Sequence, residues 1–196
     1  MNAPFHHSQP ALPQRFPLMA THFIQLADSG AFDAVDEAVE LLEGTVVMAP
    51  APGPGHADCE RHTVRAMLRR LIAARLDTEL EVQTGGRLVL GANTVVGPDI
   101  MVVRPKAERR DWLPADVVLL VEVAQSSLPV DLGTKAGLYA AAGITDYWVL
   151  DVEAQAVVQH RDPRGDRYGT VLTVDGPGLV TALLEPVLSF EVTELF

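Results

Sequence analysis

Two apolar runs decide how this chain folds: Pro98-Asp99-Ile100-Met101-Val102-Val103 and, after a polar loop, Asp116-Val117-Val118-Leu119-Leu120-Val121-Glu122-Val123. Both are short for helices and rich in valine, so they read as central strands buried on both faces. Each carries one carboxylate: Asp99 opens the first strand and Glu122 sits near the end of the second. Asp131-Leu-Gly-Thr-Lys135-Ala-Gly-Leu-Tyr139 follows. It reads as a helix from Leu132 to about Ala142, with Asp131 as N-cap and Gly143 as the C′ stop. Tyr147-Trp148-Val149-Leu150 is a further strand.

If the two acid-bearing strands are neighbours, Asp99 and Glu122 converge on one ion. A hard cation such as Mg²⁺ takes oxygen ligands and keeps several waters for substrate. The carbonyl of Val123, at a strand end, supplies a third ligand. Lys135 follows on the next helix and shares a face with Asp131 and Tyr139 at helical spacing. Its ammonium is a point charge suited to orienting water or to a pentavalent phosphorus centre. The bland alternative is an exposed Asp131–Lys135 pair worth about 0.3–0.5 kcal/mol. Against it stands Glu122, embedded in Leu119-Leu-Val-Glu-Val123, where an ionised carboxylate is costly without a partner.

Working outward, residues 1–17 hold four prolines, the adjacent His6 and His7, and no apolar period, which reads as a flexible tail. Residues 18–196 read as a single domain. Met19–Asp28 predicts a short amphipathic helix ended by Gly30. Asp36–Leu42 predicts another helical turn, and Gly44–Met48 a strand. Pro50-Ala-Pro-Gly-Pro-Gly55 reads as a loop before a long helix. Val64, Met67, Leu68, Leu71, Ile72 and Leu76 predict that helix's buried face, with His56 and Glu60 near the same side. Glu81–Gln83 and Arg87–Leu90 read as a hairpin about Gly85-Gly86. Residues 156–160 and 168–174 read as a second hairpin. Leu188–Phe196 is an apolar segment docking on the body.

The totals limit the options. The 196 residues are 48% hydrophobic and 21% charged, ordinary for a globular chain with a real core. No apolar run reaches the roughly 18 residues a membrane span needs. No basic-then-apolar leader opens the chain. The lone Cys59 excludes an intrachain disulfide and a multi-cysteine zinc site. These features predict a cytoplasmic protein without membrane contact. A net charge of −11 argues against simple nonspecific affinity for nucleic acid, though clustered acids also invite a metal.

The ordered series Pro98-Asp99, Val121-Glu122-Val123, Ser126, Asp131, Lys135, Tyr139, Asp146-Tyr147-Trp148 and Asp151 resembles the Uma-two family of restriction endonucleases, a branch of the PD-(D/E)xK nucleases. Glu40-Leu-Leu-Glu-Gly44, Met48-Ala-Pro50 and His56 extend the likeness upstream, over about residues 19–196. The resemblance implies an α/β (α+β), restriction-endonuclease-like core. That core is a mixed central sheet flanked by helices, with extra C-terminal hairpins. It also implies Mg²⁺-dependent cleavage of DNA, with Mn²⁺ as substitute, Asp99 and Glu122 as ligands, and Lys135 stabilising the transition state. Glu40 and His56 are accessory candidates. The superfamily lysine usually stands two positions after the second acid, which here is Ala124; Lys135 on the following helix takes its place.

A second reading is a catalytically silent binding or assembly protein on the same scaffold. Its motive is the acidity and the lack of a long basic run; Arg61, Arg65, Arg69, Arg70 and Arg75 on the long helix form only a modest stripe. A serine hydrolase using Ser126 or Ser127 lacks the Gly-x-Ser-x-Gly turn. The apolar Leu183–Leu188 segment and Leu195-Phe196 predict a homodimer covered on that side.

Overall fold

The computed structural model describes residues 16–49, 52–107 and 111–196; His6, His7 and the expected tail up to residue 15 lie outside them. The chain order is α1 (Ala20–Asp28), β1 (Ala38–Leu42), β2 (Thr45–Ala49), α2 (Pro54–Ala74), β3 (Glu81–Thr84), β4 (Arg87–Gly91), β5 (Thr94–Val96), β6 (Ile100–Val103), β7 (Asp111–Trp112) and β8 (Val117–Ala124). A helical crossover follows: α3 (Leu128–Val130), a π-helical turn (Asp131–Lys135) and α4 (Ala136–Ala141). Then come β9 (Asp146–Asp151), β10 (Ala156–Arg164), β11 (Arg167–Asp175), β12 (Leu179–Thr181) and β13 (Ser189–Glu191).

One sheet runs β11-β10-β9-β8-β6-β3 and a second β2-β1-β5-β4-β7; β12 and β13 pair apart. The central pair β8–β9 is parallel, joined through the crossover, while β6 and β8 are antiparallel. All eight residues of β8 and all four of β6 are buried, as an unbroken apolar run requires. Alternation sends Leu119, Val121 and Val123 to a core shared with α2 and the C-terminal segment. Leu120 and Ala124 face the opposite core, beneath α4.

Several expectations change. Residues 38–42 form strand β1 rather than a helical turn, pairing with β2 from Ala38↔Ala49 to Leu42↔Thr45. The β-branched partner strand and a turn at Glu43-Gly44 override the local helical pattern. Residues 81–90 are not a hairpin. β3 pairs with β6 and β4 with β5, so Gly85-Gly86 passes the chain from one sheet to the other. Pro54 belongs to α2, at its first turn, where the missing N–H costs nothing. The buried stripe of α2 is Cys59, Thr63, Met67 and Leu71, leaving Leu68 and Ile72 exposed. Thr63 fits inside because its hydroxyl donates to the Leu195 carbonyl (3.0 Å), an acceptor also used by the Cys59 thiol. Asp131 is not a cap; α3 begins after Ser127 and places Asp131 inside the helical run. Gly143 does end the crossover, at φ +80°.

Leu188 and Leu195 are fully buried within the chain, so they leave nothing for a second copy to cover; Leu183 and Leu184 stay about half exposed. Among the described residues no helix is long and apolar enough to cross a membrane.

The polar loop before β8 contains its own brace. Lys106 Nζ meets Asp116 Oδ2 at 2.6 Å, and the same oxygen accepts the Leu113 N–H. Burial alone would raise the Asp116 carboxyl; Lys106 and the Leu113 N–H outweigh it and hold it below the usual range. A lowered folded value means stability present above the unfolded value and lost as pH falls through the folded one. Asp116→Asn should therefore cost about 1 kcal/mol at pH 7 and almost nothing near pH 2. Urea denaturation of both proteins at the two pH values measures it.

Candidate active site

Register alone brings the two acids together. Ile100 pairs with Val121, so one step further along the antiparallel ladder Asp99 stands opposite Glu122. The Asp99 N–H donates to Glu122 Oε2 at 3.3 Å, and the Val123 N–H donates to Asp99 Oδ2 at 2.7 Å. Each strand end thus spends an otherwise unpaired N–H on the other strand's carboxylate.

The crossover delivers the cation. Lys135 Nζ lies 3.0 Å from Glu122 Oε1, 3.4 Å from Glu40 Oε1 and 3.9 Å from Asp131 Oδ1. Tyr139 donates to the same Glu122 oxygen at 2.6 Å. Asp131 and Lys135 occupy the two ends of the π turn, a local widening of the helix common at functional sites. Glu40 arrives from the other sheet, and its Oε1 also accepts the Gly97 N–H at 2.9 Å, directly before Pro98-Asp99.

α2 closes the third side. Gln125 Oε1 accepts the His56 N–H at 3.1 Å, supplying an external partner for an open helix terminus. That approach needs Gly53: a Cβ there would sit 2.7 Å from Gln125 Oε1. His56 Nε2 then faces Asp99 Oδ1 at 3.3 Å and Glu60 Oε2 at 4.0 Å. Glu40, His56, Glu60, Asp99, Glu122, Gln125, Asp131 and Lys135 line a cavity of about 250 Å³, with Ser126, Ser127 and Pro98 on its wall; Tyr139 lies buried behind Glu122.

The electrostatics follow from burial and crowding. Glu122 is 2% exposed, and burial drives its carboxyl well above the usual range while Lys135 and Tyr139 pull it down. Burial would lower the Lys135 ammonium, but attraction to Glu122, Glu40 and Asp131 wins and its pKa is raised. Asp99 is raised by burial and lowered further by His56 and the Val123 N–H, for a net lowering. His56 is raised, first by its hydrogen bond to Asp99; burial opposes this, and Glu60 and the backbone of Val123 assist it.

All of the sequence-predicted candidates meet here: Asp99, Glu122, Lys135, Glu40, His56 and the backbone of Val123. Three further residues join that candidate set, two of them, Asp131 and Tyr139, from the ordered series and the Lys135 helix face. Asp131 looked like a cap, Tyr139 only a neighbour on the helix face, and Gln125 carried no signal beyond being polar just after an apolar strand. Asp146 belongs elsewhere: fully buried, it accepts from Trp148 Nε1, Arg161 Nε and the Leu183 N–H, pinning the C-terminal segment. Asp151 caps a turn through the Glu153 and Ala154 N–H groups.

The cavity sets five carboxylates, Glu40, Glu60, Asp99, Glu122 and Asp131, all hard oxygen donors, against one lysine. That charge and donor type suit Mg²⁺ or Mn²⁺. Among the described residues no three His, Cys, Asp or Glu side chains form a ready ligand group. An ion here would rest on Asp99 and Glu122, completed by backbone and water oxygens.

The family model described as "Uma2: Putative restriction endonuclease" matches residues 21–193. A similar solved structure is described as a "putative nuclease belonging to DUF820" from Anabaena variabilis ATCC 29413. It is 22% identical, with a TM-score of 0.70 over 92% of this chain and 98% of that one, which bears on the fold. No curated protein matches the sequence.

Lys135→Met leaves three buried or nearly buried carboxylates without their shared cation. The variant should be about 3–5 kcal/mol less stable by urea denaturation at pH 7. Tyr139→Phe, which removes one donor and leaves the ion pair, should cost about 1–3 kcal/mol.

Proposed function

The chain belongs to the Uma2 family, and from that membership and the site geometry we propose a metal-dependent nuclease that hydrolyses phosphodiester bonds of DNA. The observation that carries the proposal is the Lys135 amine, held 3.0 Å from a carboxylate that is itself tied to Asp99. Three side chains from two strands and a helix thereby share one small cavity.

In this reading Asp99, Glu122 and the Val123 carbonyl hold Mg²⁺, with Mn²⁺ as substitute. The bound ion would polarise a phosphoryl oxygen and lower the pKa of a coordinated water. Tyr139 and Lys135 fix the direction of the Glu122 carboxylate. Lys135 also offers positive charge where a pentavalent phosphorus centre gains negative charge. Glu40 and Asp131 hold the lysine side chain in the cavity between them. His56 stands at the mouth, where it orients Asp99.

A path for the polyanion is supported on the outer face of α2. Arg65 and Arg69 are exposed and have no ion-pair partner among the described residues. Arg61 pairs with Asp58, and Arg70 is committed to Glu194 and the Ser189 carbonyl. The shallow groove beside Arg61, Arg65 and Arg69 shares Glu60 with the site cavity. Local basic charge of this kind offsets an acidic total.

The silent-scaffold reading has one observation in its favour: both oxygens of Glu122 are already engaged by protein donors. The two readings separate in one experiment. Purified protein is incubated with supercoiled and linear DNA in Mg²⁺ or Mn²⁺, alongside Asp99→Asn and Glu122→Gln. Cleavage by the wild type, reduced about 100-fold or more in each folded variant, supports the nuclease. Absence of both cleavage and calorimetric Mn²⁺ binding by the wild type would leave the silent scaffold.

A further inference from the structure

The six-stranded sheet ends on β11, whose outer edge has no strand beside it among the described residues; α4 and the C-terminal turn pack on parts of the strand, with Tyr168 buried, but its middle stays open. β11 runs nine residues, Arg167-Tyr-Gly-Thr-Val-Leu-Thr-Val-Asp175, and pairs with β10 along one side only. Among the described residues no hydrogen bond reaches the main chain of Tyr168–Val174 from beyond that pairing. Val171 is 56% exposed and Leu172 55%; as neighbours on a strand they point to opposite faces, so neither face is closed over them.

Long exposed apolar edges template pairing with another chain, and proteins normally blunt them with lysine, proline, inward charge or a bulge. Between Tyr168 and Val174 there is no charged residue and no proline. One irregularity is present, at Asp162 (φ +60°) facing Gly169, and it affects only the hairpin end.

The strand is also complementary to itself. An antiparallel copy related by a two-fold axis through Val171 sets Val171 opposite Val171 and Thr170 opposite Leu172. The same register sets Arg167 opposite Asp175 at both ends. Arg167 is largely exposed in the single chain, where its ion-pair partner is the equally exposed neighbour Asp166. Asp175 has no ion-pair partner among the described residues. One strand therefore presents donors and acceptors, an apolar centre and opposite terminal charges, each matched by the same strand reversed.

We propose that β11 is the interface at which two copies of this chain pair edge to edge, joining their six-stranded sheets into one. The occupant is a second copy, because the two-fold register about Val171 sets Arg167 opposite Asp175 at both ends of the pair. This interface differs from the Leu183–Leu188 and Leu195-Phe196 surface expected from sequence, whose Leu188 and Leu195 are buried within the chain. It does not depend on the nuclease reading.

Sedimentation velocity of the full chain over roughly 1–100 µM, a span suited to a small interface, tests it. Wild type should show a monomer–dimer equilibrium. Arg167→Asp places two acids opposite each other at both ends and should weaken dimerisation about tenfold or more. The double swap Arg167→Asp/Asp175→Arg should restore it, which a merely local disturbance would not. Leu172→Lys, a lysine placed on the edge, should give monomer with unchanged circular dichroism. A wild type that stays monomeric throughout overturns the proposal. So does a dimer indifferent to Arg167→Asp and Leu172→Lys, or one that the double swap fails to restore.

Discussion

A buried glutamate needs a cation, and this need organises the molecule. Glu122 lies in a strand buried along its whole length, with apolar residues before and after it. An unpaired charge at such a place costs several kcal/mol. Lys135 relieves it only if the crossover from β8 to β9 folds back over the strand end, and the widened turn from Asp131 to Lys135 lets the lysine reach inward. The pair therefore couples sheet topology to helix geometry: a crossover docked elsewhere would leave both charges stranded.

The same logic sets the surroundings. One lysine serves Glu122, Glu40 and Asp131, which come from β8, from the second sheet and from the crossover. Asp99 takes its stabilisation from N–H and imidazole donors rather than from the lysine. The cavity keeps more acid than base even after these pairings. A protein selected for stability alone would more simply fill this space with apolar side chains, since buried ion networks are at best neutral in that respect. Retaining five carboxylates, Glu40, Glu60, Asp99, Glu122 and Asp131, beside a 250 Å³ opening is better suited to a site than to a core.

The remote parts act through position. Gln125 links the end of β8 to the first turn of α2 and so carries His56 to Asp99. Arg70 grips the C-terminal segment through Ser189, Glu194 and the Phe190 ring, holding the far side of α2 in place. Asp146 anchors the same segment from β9. The cavity wall is thus braced from the terminus, far away in sequence.

Much of this was legible in the residues. Two valine-rich runs announce central strands because a strand covered on both faces has no polar side to show. A carboxylate inside such a run announces a partner because its burial cannot stand alone. Residue order was enough to name the family, and with it Asp99, Glu122, Lys135, Glu40 and His56. What sequence could not decide was everything set by long-range pairing. Residues 38–42 look helical and become a strand because β2 and β5 accept them. Gly85-Gly86 looks like a hairpin and instead changes sheets. Asp131 looks like a cap and is buried. The α2 stripe rotates by a residue because a carbonyl near the terminus waits for Thr63. Local pattern reports what a segment can bury; only the folded neighbours determine which partner it meets, and the reach of one lysine to three acids is a property of that assembly alone.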